Sequence, residues 1–148
     1  SFGYGQLPDE ALAGISAVAR HLLAHSVGQL LVIDVLPRGD GYKVLPTRLC
    51  PPRRDDGGRA LKSFLPAIRE VNLGLQRSVA NLSEEFPGRV RRVDCGAPFL
   101  DDKTEVRLDL MPDGVHPNAQ GMRLLARCIE PLLPSPTPVP QAAGAKQK

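Results

Sequence analysis

Aromatic residues and long apolar runs are scarce in this 148-residue chain. It has no tryptophan, and aromatic side chains make up 4% of its residues. Its longest apolar run, LLVIDVL at residues 30–36, is far shorter than the roughly 20 residues that a helix needs to cross a bilayer. We therefore predict a soluble chain with no membrane span. Its hydrophobic content of 42% suffices for one modest core.

Cysteine is also sparse, and its number is odd. Cys50, Cys95 and Cys128 are widely spaced, which matches neither a disulfide framework nor the close ligand pairs of a zinc site. We therefore expect unpaired thiols in a reducing compartment, and thus a cytoplasmic protein.

Positive charge is in slight excess, with a formal net charge of +3. Arginines cluster at residues 53–54 and 89–92. Proteins that use such clusters on nucleic acids usually add stacking aromatics or a known motif, and neither accompanies these arginines. A solvated basic face is the simpler interpretation, so we expect no nucleic-acid partner.

The hydrophobic pattern predicts alternating helices and strands. The predicted helices cover residues 8–26, 62–83 and about 118–132, and the predicted strands cover 30–36 and 89–94. This order indicates an α/β fold with parallel strands. Residues 37–60, rich in proline and glycine, predict a long loop after the first strand. Residues 134–148 predict a disordered tail rich in proline and alanine, which leaves 1–133 as the domain.

Two strands are too few for such a core. LLVIDVL is apolar on both faces, which is typical of a strand with neighbours on both sides of a parallel sheet, and ordinary sheets have about 4 to 6 strands. Short extended segments at 44–49 or 105–110 could join the sheet. Alternatively, the chain is the carboxyl-terminal part of a larger domain, and we favour this second interpretation.

The stretch MPDGVHPNAQG, residues 111–121, contains the best candidate for chemistry. Asp113 precedes His116 by three residues in a loop that enters a helix. This spacing lets the carboxylate accept the imidazole Nδ1 proton, so that Nε2 can take a proton from a nucleophile. Asp-x-x-His alone is a common pattern, and a turn aspartate beside an exposed histidine is the plain alternative.

Other candidates for catalysis or metal binding are weaker. No serine of the chain lies in the strand-to-helix elbow that a hydrolase nucleophile needs. Cys95 follows the second strand and could pair with His116, but a small buried thiol is the commoner role of such a cysteine. His21 and His25 are spaced to hold a metal from one helix face, but no third ligand completes the set, so a solvated pair is favoured.

Three further polar residues occupy unusual positions. Asp34 interrupts the apolar strand, and it is either hydrogen-bonded at a pocket edge or paired with an arginine. Arg38 follows the strand, where it could meet an anionic substrate group, although an exposed loop arginine is the default. Asn72 lies on the apolar stripe of its helix, which favours a side chain that braces a neighbouring loop's backbone over one that does chemistry.

Three segments resemble a known family. GVHPNAQGMRLLARCIEPLL, with the aspartate before it, resembles the last motif of the SGNH (GDSL-type) hydrolase superfamily. LLVIDVLPRGD resembles the fourth strand and following loop of its platelet-activating-factor acetylhydrolase-like branch, and IREVN at 68–72 matches the next helix. The resemblance covers about residues 8–133 in the right order. It implies a flavodoxin-like three-layer parallel sheet, incomplete in this chain.

The resemblance also implies a function. His116 would be the general base and Asp113 its orienting acid in a serine ester hydrolase that acts on a small-molecule ester or on a lipid or glycan acyl group, without metal or cofactor. The family's Gly-Asp-Ser block and its oxyanion glycine and asparagine blocks are absent, so the serine would come from sequence upstream of Ser1. The alternative is a non-catalytic scaffold or binding subunit. In either case an upstream segment or a protein partner would complete the sheet.

Overall fold

The computed structural model describes residues 8–39 and 63–133. Within these ranges the helices are α1 (Pro8–His25), α2 (Leu65–Glu85) and α3 (Ala119–Ile129), the strands are β1 (Leu30–Ile33) and β2 (Val90–Val93), and short 3-10 turns cover Ala97–Phe99 and Glu130–Leu132. This order confirms the predicted elements and the α/β class. None of these helices is long and apolar enough to cross a membrane. The alternative further strand at 44–49, most of the predicted loop and the predicted tail lie outside the described residues.

Local sequence explains where the first two helices begin. Pro8 opens α1, and Asp9 and Glu10 lie in its first turn, where carboxylates interact favourably with the helix dipole. Pro66 lies in the first turn of α2, where a missing N–H group costs no intrahelical hydrogen bond. Gly88 has a φ of 70° in the turn between α2 and β2, a conformation that favours glycine.

The two strands are parallel and in register, from Leu30 opposite Val90 to Ile33 opposite Val93. The N–H groups of Leu30 and Asp34 donate to β2-side carbonyls at 2.7 and 2.9 Å. Backbone groups of a strand alternate between its two edges, so those of Leu31 and Ile33 face the other edge. No strand of the described residues occupies that edge.

The suggestion that residues 105–110 join the sheet is wrong. Val106 instead forms an isolated antiparallel bridge with Leu100, within the loop that follows β2. The described residues therefore contribute two strands to the sheet, and the complete three-layer arrangement stays a prediction.

The main core lies between one face of the sheet and the helices α1 and α2. Its fully buried members are Ala19, Leu23, Val32, Phe64, Ile68, Val71, Leu75, Val79, Leu82 and Val90. At Gly74 a Cβ atom would lie 2.3 Å from a Leu12 methyl carbon, so this glycine permits the close approach of the two helices. We call this unit of α1, α2, β1 and β2 the body.

Apolar side chains remain exposed on other surfaces of the molecule. Ile33 of β1 is 37% exposed and Met122 of α3 is 52% exposed. Leu22 belongs by its spacing to the apolar stripe of α1, which such a pattern predicts to be buried, yet it is 46% exposed. The interface with α2 and the sheet is narrower than this stripe, and Leu23 takes the buried position.

A smaller core supports the loop between β2 and α3. Phe99, Leu110 and Met111 are almost fully buried there, and Leu124 and Leu125 of α3 pack against them. This small core is separate from the core of the body, and it lies under the segment that carries Asp113 and His116.

A disulfide joins Cys95 to Cys128 across a sequence separation of 33. The expectation of unpaired thiols is therefore wrong for these two residues, and Cys95 is not a free nucleophile. The pairing depends on the meeting of the end of β2 with the last turn of α3, which the spacing of cysteines along the chain does not reveal. The expectation of a reducing, cytoplasmic location loses its basis, since it rested on unpaired cysteines. Cys50 lies outside the described residues.

Candidate active site

A tight turn places Asp113 and His116 together just before α3. Gly114 has a φ of 72°, and its N–H donates to the Met111 carbonyl at 2.8 Å. This left-handed position turns the chain back, so that Asp113 Oδ1 accepts hydrogen bonds from the N–H groups of Val115 at 2.9 Å and His116 at 2.7 Å. Backbone N–H groups thus orient the carboxylate independently of its contact with the imidazole.

The second carboxylate oxygen contacts the imidazole. Asp113 Oδ2 lies 2.6 Å from His116 Nδ1. The side-chain hydrogen bond from His116, with smaller help from the His116 backbone N–H, lowers the pKa of Asp113 to about 2. The carboxyl is therefore ionised near neutral pH and can only accept, so Nδ1 carries the proton and Nε2 of a neutral ring has the free lone pair.

The imidazole is open to an incoming group. The His116 side chain is 78% exposed, although its Nδ1 edge is occupied by Asp113. Nε2 can therefore meet a hydroxyl from outside the described residues. This is the geometry that the spacing of the two residues predicts, while their role in catalysis stays a prediction.

Asn118 connects the start of α3 to the turn before the pair. It is the N-cap, a role that its residue type favours, and its Oδ1 accepts from the N–H groups of Gln120 and Gly121 at 3.0 Å each. Its Nδ2 also donates to the Asp109 carbonyl at 2.7 Å, and its N–H donates to the Leu110 carbonyl at 2.8 Å. Sequence reasoning missed these last two contacts because they join residues that only the fold of the loop brings together.

The loop after β1 reaches the same turn. The Asn72 carboxamide accepts from the Val35 N–H at 2.9 Å and donates to the Val35 carbonyl at 3.0 Å, which confirms its predicted role as a backbone brace. Farther along, the Gly39 N–H donates to the Gly114 carbonyl at 2.6 Å. The braced end of β1 is thus connected to the loop of Asp113.

Asp34 pairs with an arginine and also lines a cavity, so both alternatives left open by the sequence apply to it. Arg92 Nε donates to Asp34 Oδ1 at 2.6 Å, and Arg92 Nη2 donates to Oδ2. Burial raises the pKa of Asp34, and the hydrogen bond and positive charge of Arg92 act in the opposite direction. The pair is a buried, bidentate contact between the neighbouring strands.

A cavity of about 1040 Å³ opens at the carboxyl ends of the strands. Its lining includes the ion pair of Asp34 and Arg92, together with Arg38. The Arg38 guanidinium lies 4.5 Å from the centre of the Phe64 ring, so this arginine is partly buried and not fully exposed as the default predicted. Neither residue of the Asp-His pair lines the cavity. The cavity therefore lies beside that pair, across the Gly39–Gly114 contact.

His21 and His25 form a stacked, exposed pair on α1. Their ring centroids are 4.2 Å apart, and His25 Nδ1 lies 2.8 Å from the His21 carbonyl oxygen. Within residues 8–39 and 63–133, no group of three or more side chains is placed to hold a metal ion.

Comparison with known proteins identifies a similar fold but no family. No family model matches the chain, and no curated protein matches it. A solved structure of a protein from Streptococcus pneumonia, provisionally named a platelet activating factor, matches 88% of this chain with a TM-score of 0.63 and 15% sequence identity. The chain spans 53% of that protein's chain. At this identity the likeness shows the fold alone: an α/β arrangement similar to about half of a longer chain.

Proposed function

We propose that this chain supplies the acid–base pair of an SGNH-type serine ester hydrolase. The observation that carries the proposal is the contact between Asp113 Oδ2 and His116 Nδ1 at 2.6 Å, beside an exposed imidazole. The nucleophilic serine and the oxyanion donors would come from upstream sequence that completes the sheet.

The mechanism follows from the orientation of the pair. His116 Nε2 takes the proton of the serine hydroxyl as its oxygen attacks the ester carbonyl, and Asp113 stabilises the resulting imidazolium. His116 then gives the proton to the leaving alkoxide, and an acyl-enzyme remains. Water attacks that intermediate with the same base, which releases the acid and restores the serine. No metal or cofactor takes part in these steps.

The fold comparison supports this proposal in two ways. The provisional name of the similar Streptococcus pneumonia protein agrees with the platelet-activating-factor acetylhydrolase-like branch that the sequence resembles. The coverage of about half of that chain agrees with a sheet that is completed by further sequence. We infer that the complete sheet is flavodoxin-like, with a further strand beside the edge of β1 that no described strand occupies, and a helix over exposed Ile33.

The substrate class follows from the proposed chemistry. The pair suits an ester of a small molecule, a lipid or a glycan, because an activated serine transfers acyl groups. The cavity beside the pair, with Arg38 and the Asp34–Arg92 pair in its wall, could receive the polar part of such a substrate.

The test uses a longer polypeptide that includes the Gly-Asp-Ser block, with hydrolysis of a p-nitrophenyl ester as the readout. His116→Ala should lower turnover by about 10³-fold or more, because members of a triad act as one unit. His21→Ala is the matched control, since His21 is exposed on α1 and has no carboxylate partner among the described residues. An active enzyme with equal turnover in both variants would refute the proposal.

A second test uses the 148-residue chain itself. An active-site-directed fluorophosphonate should label none of its serines, because the proposed nucleophile is absent from this sequence. Stoichiometric labelling of a serine here would show that the nucleophile has been placed wrongly.

A non-catalytic scaffold is the second candidate function. The outer edge of β1 favours it, since no strand within residues 8–39 and 63–133 pairs there and a strand of a protein partner could do so by β-strand addition. The two candidates differ in one result: a scaffold would hydrolyse no ester in the assembled state.

A further inference from the structure

The Cys95–Cys128 disulfide encloses the candidate active site. Cys95 lies just past the end of β2, and Cys128 lies in the last turn of α3. The bond closes a loop with a sequence separation of 33, and Asp113 and His116 both lie within it. Closing a loop of this size removes much of the freedom that the segment would otherwise have.

Few other contacts hold the carboxyl-terminal part of α3. Gly121 is the buried residue of this helix, and it lies in the first turn, where a Cβ would come within 2.9 Å of the Leu110 carbonyl oxygen. Farther along, Met122 is exposed and Leu125 is only partly buried. Within the described residues, α3 has no extensive contact with α1, α2 or either strand. The disulfide is thus the covalent attachment of the end of α3 to the end of β2, beside the small core that Leu36, Leu124 and Leu125 share.

The body has its own core, which contains no residue of the enclosed loop. The members of that core, buried or partly buried, all precede Cys95 in the chain. The loop and α3 rest instead on the small core of Phe99, Leu110 and Met111. Loss of the covalent bond should therefore loosen α3 and the turn before it while the body stays folded.

We propose that the Cys95–Cys128 disulfide is a positioning bond that makes the order of the Asp113–His116 turn depend on redox state. The effect on order follows from the packing of α3, whereas its consequence for catalysis rests on the proposed function. In the reduced state the base would lose its fixed position relative to the nucleophile, and turnover would fall.

The different burial of Cys95 and Cys128 indicates which sulfur a dithiol reductant attacks first. Cys95 is almost fully buried and Cys128 is partly exposed, so the reductant's thiolate attacks the Cys128 sulfur. The disulfide breaks, a mixed disulfide forms at Cys128, and Cys95 leaves as a thiolate that takes up a proton. The second thiol of the reductant then displaces Cys128. In total, two electrons and two protons pass to the cysteines, and the dithiol becomes a cyclic disulfide.

Hydrogen exchange read by mass spectrometry tests the proposal on the 148-residue chain. Exchange is compared with and without dithiothreitol, in a Cys50→Ser background that prevents thiol exchange with the third cysteine. Amides in the first turns of α3, such as that of Met122, should exchange roughly 10² to 10³ times faster after reduction, as expected from the entropy of closing a loop of this size. Peptides from α2 provide the internal reference and should be unchanged.

A variant that cannot form the bond provides the matched control. Cys95→Ser with Cys128→Ser should show fast exchange in α3 whether or not dithiothreitol is present. Equal protection of α3 in both redox states, free thiols at both positions before reduction, or loss of protection in α2 together with α3 would each overturn the proposal.

Activity of the longer polypeptide separates this proposal from the proposed function. A reversible loss of ester hydrolysis on reduction, together with faster exchange in α3, would support both. Faster exchange in α3 with no hydrolysis in either redox state would support the positioning bond and count against the hydrolase.

Discussion

Removal of the Arg92 guanidinium should destabilise the body strongly. The Asp34 side chain is 2% exposed, and its two carboxylate oxygens are bound by Nε and Nη2 of the same arginine. Arg92→Ala would leave this carboxylate buried without its counter-ion. Breaking a fully enclosed pair costs roughly 3 to 5 kcal/mol, and because the Arg92 side chain is 25% exposed we expect about 2 to 4 kcal/mol.

Urea unfolding followed by far-UV circular dichroism, at one fixed protein concentration, measures this loss. Arg91→Ala is the matched control, because Arg91 is the preceding residue of the same strand and is exposed. Its free energy of unfolding should change by no more than about 0.5 kcal/mol. If Arg92→Ala and Arg91→Ala lower the free energy of unfolding equally, the ion pair does not stabilise the body, contrary to this prediction.

The pH dependence of the same variant gives an independent check with a definite sign. Burial raises the pKa of Asp34, and loss of Arg92 removes the hydrogen bond and the charge that oppose the rise. A carboxyl group with a raised pKa in the folded state stabilises that state below its unfolded pKa of about 3.9, and this contribution disappears as pH rises through the folded pKa. The loss in free energy of unfolding that Arg92→Ala causes should therefore be smaller at pH 4 than at pH 7. Asp34→Leu with Arg92→Met should recover most of it, because neither charge remains to be buried.

Two further predictions concern the edge of β1 and the cap of α3. Among the described residues no strand pairs with the outer edge of β1, so the 148-residue chain should sediment as a dimer or larger species. Ile33→Lys should shift it towards monomer, whereas Val27→Lys, at a fully exposed position outside the strand, should not. A monomeric parent chain would contradict this. Asn118→Ala should lower the free energy of unfolding by about 1 to 2 kcal/mol. Asn118→Ser should lower it by much less, because a serine side chain can also cap the helix. Equal urea midpoints for the two variants would show that the cap contributes little.

Features set by neighbouring residues could be predicted from the sequence. The helices and strands were found because their apolar residues repeat with a local period. The cap at Asn118 follows from its place before a helix. The contact of Asp113 with His116 joins residues three apart, so the turn alone can form it. The brace at Asn72 followed from a polar side chain on an apolar stripe.

Features that depend on distant parts of the chain could not be predicted in the same way. The partner of Asp34 is 58 residues away, and identifying it as Arg92 requires the register of the two strands. The disulfide of Cys95 requires the path of the whole intervening loop. Periodicity also shows how wide the apolar face of a helix is, but not how much of that face other elements cover. Leu22 is therefore apolar by pattern and exposed in the fold.

Because the two cores are separate, we expect the stability of the body to vary independently of the order of α3 and of the Asp113–His116 turn. The Asp34–Arg92 pair joins the strands of the body, whereas Cys128 and His116 belong to the segment on the smaller core. Arg92→Ala should therefore lower the urea midpoint of the body. The factor by which reduction accelerates hydrogen exchange in α3 should stay largely unchanged. Reduction of the disulfide should accelerate exchange in α3 and leave the urea midpoint of the body largely unchanged. A variant of the ion pair that altered α3 as strongly as reduction does would show that the two units unfold together, and that the site has no independent means of becoming disordered.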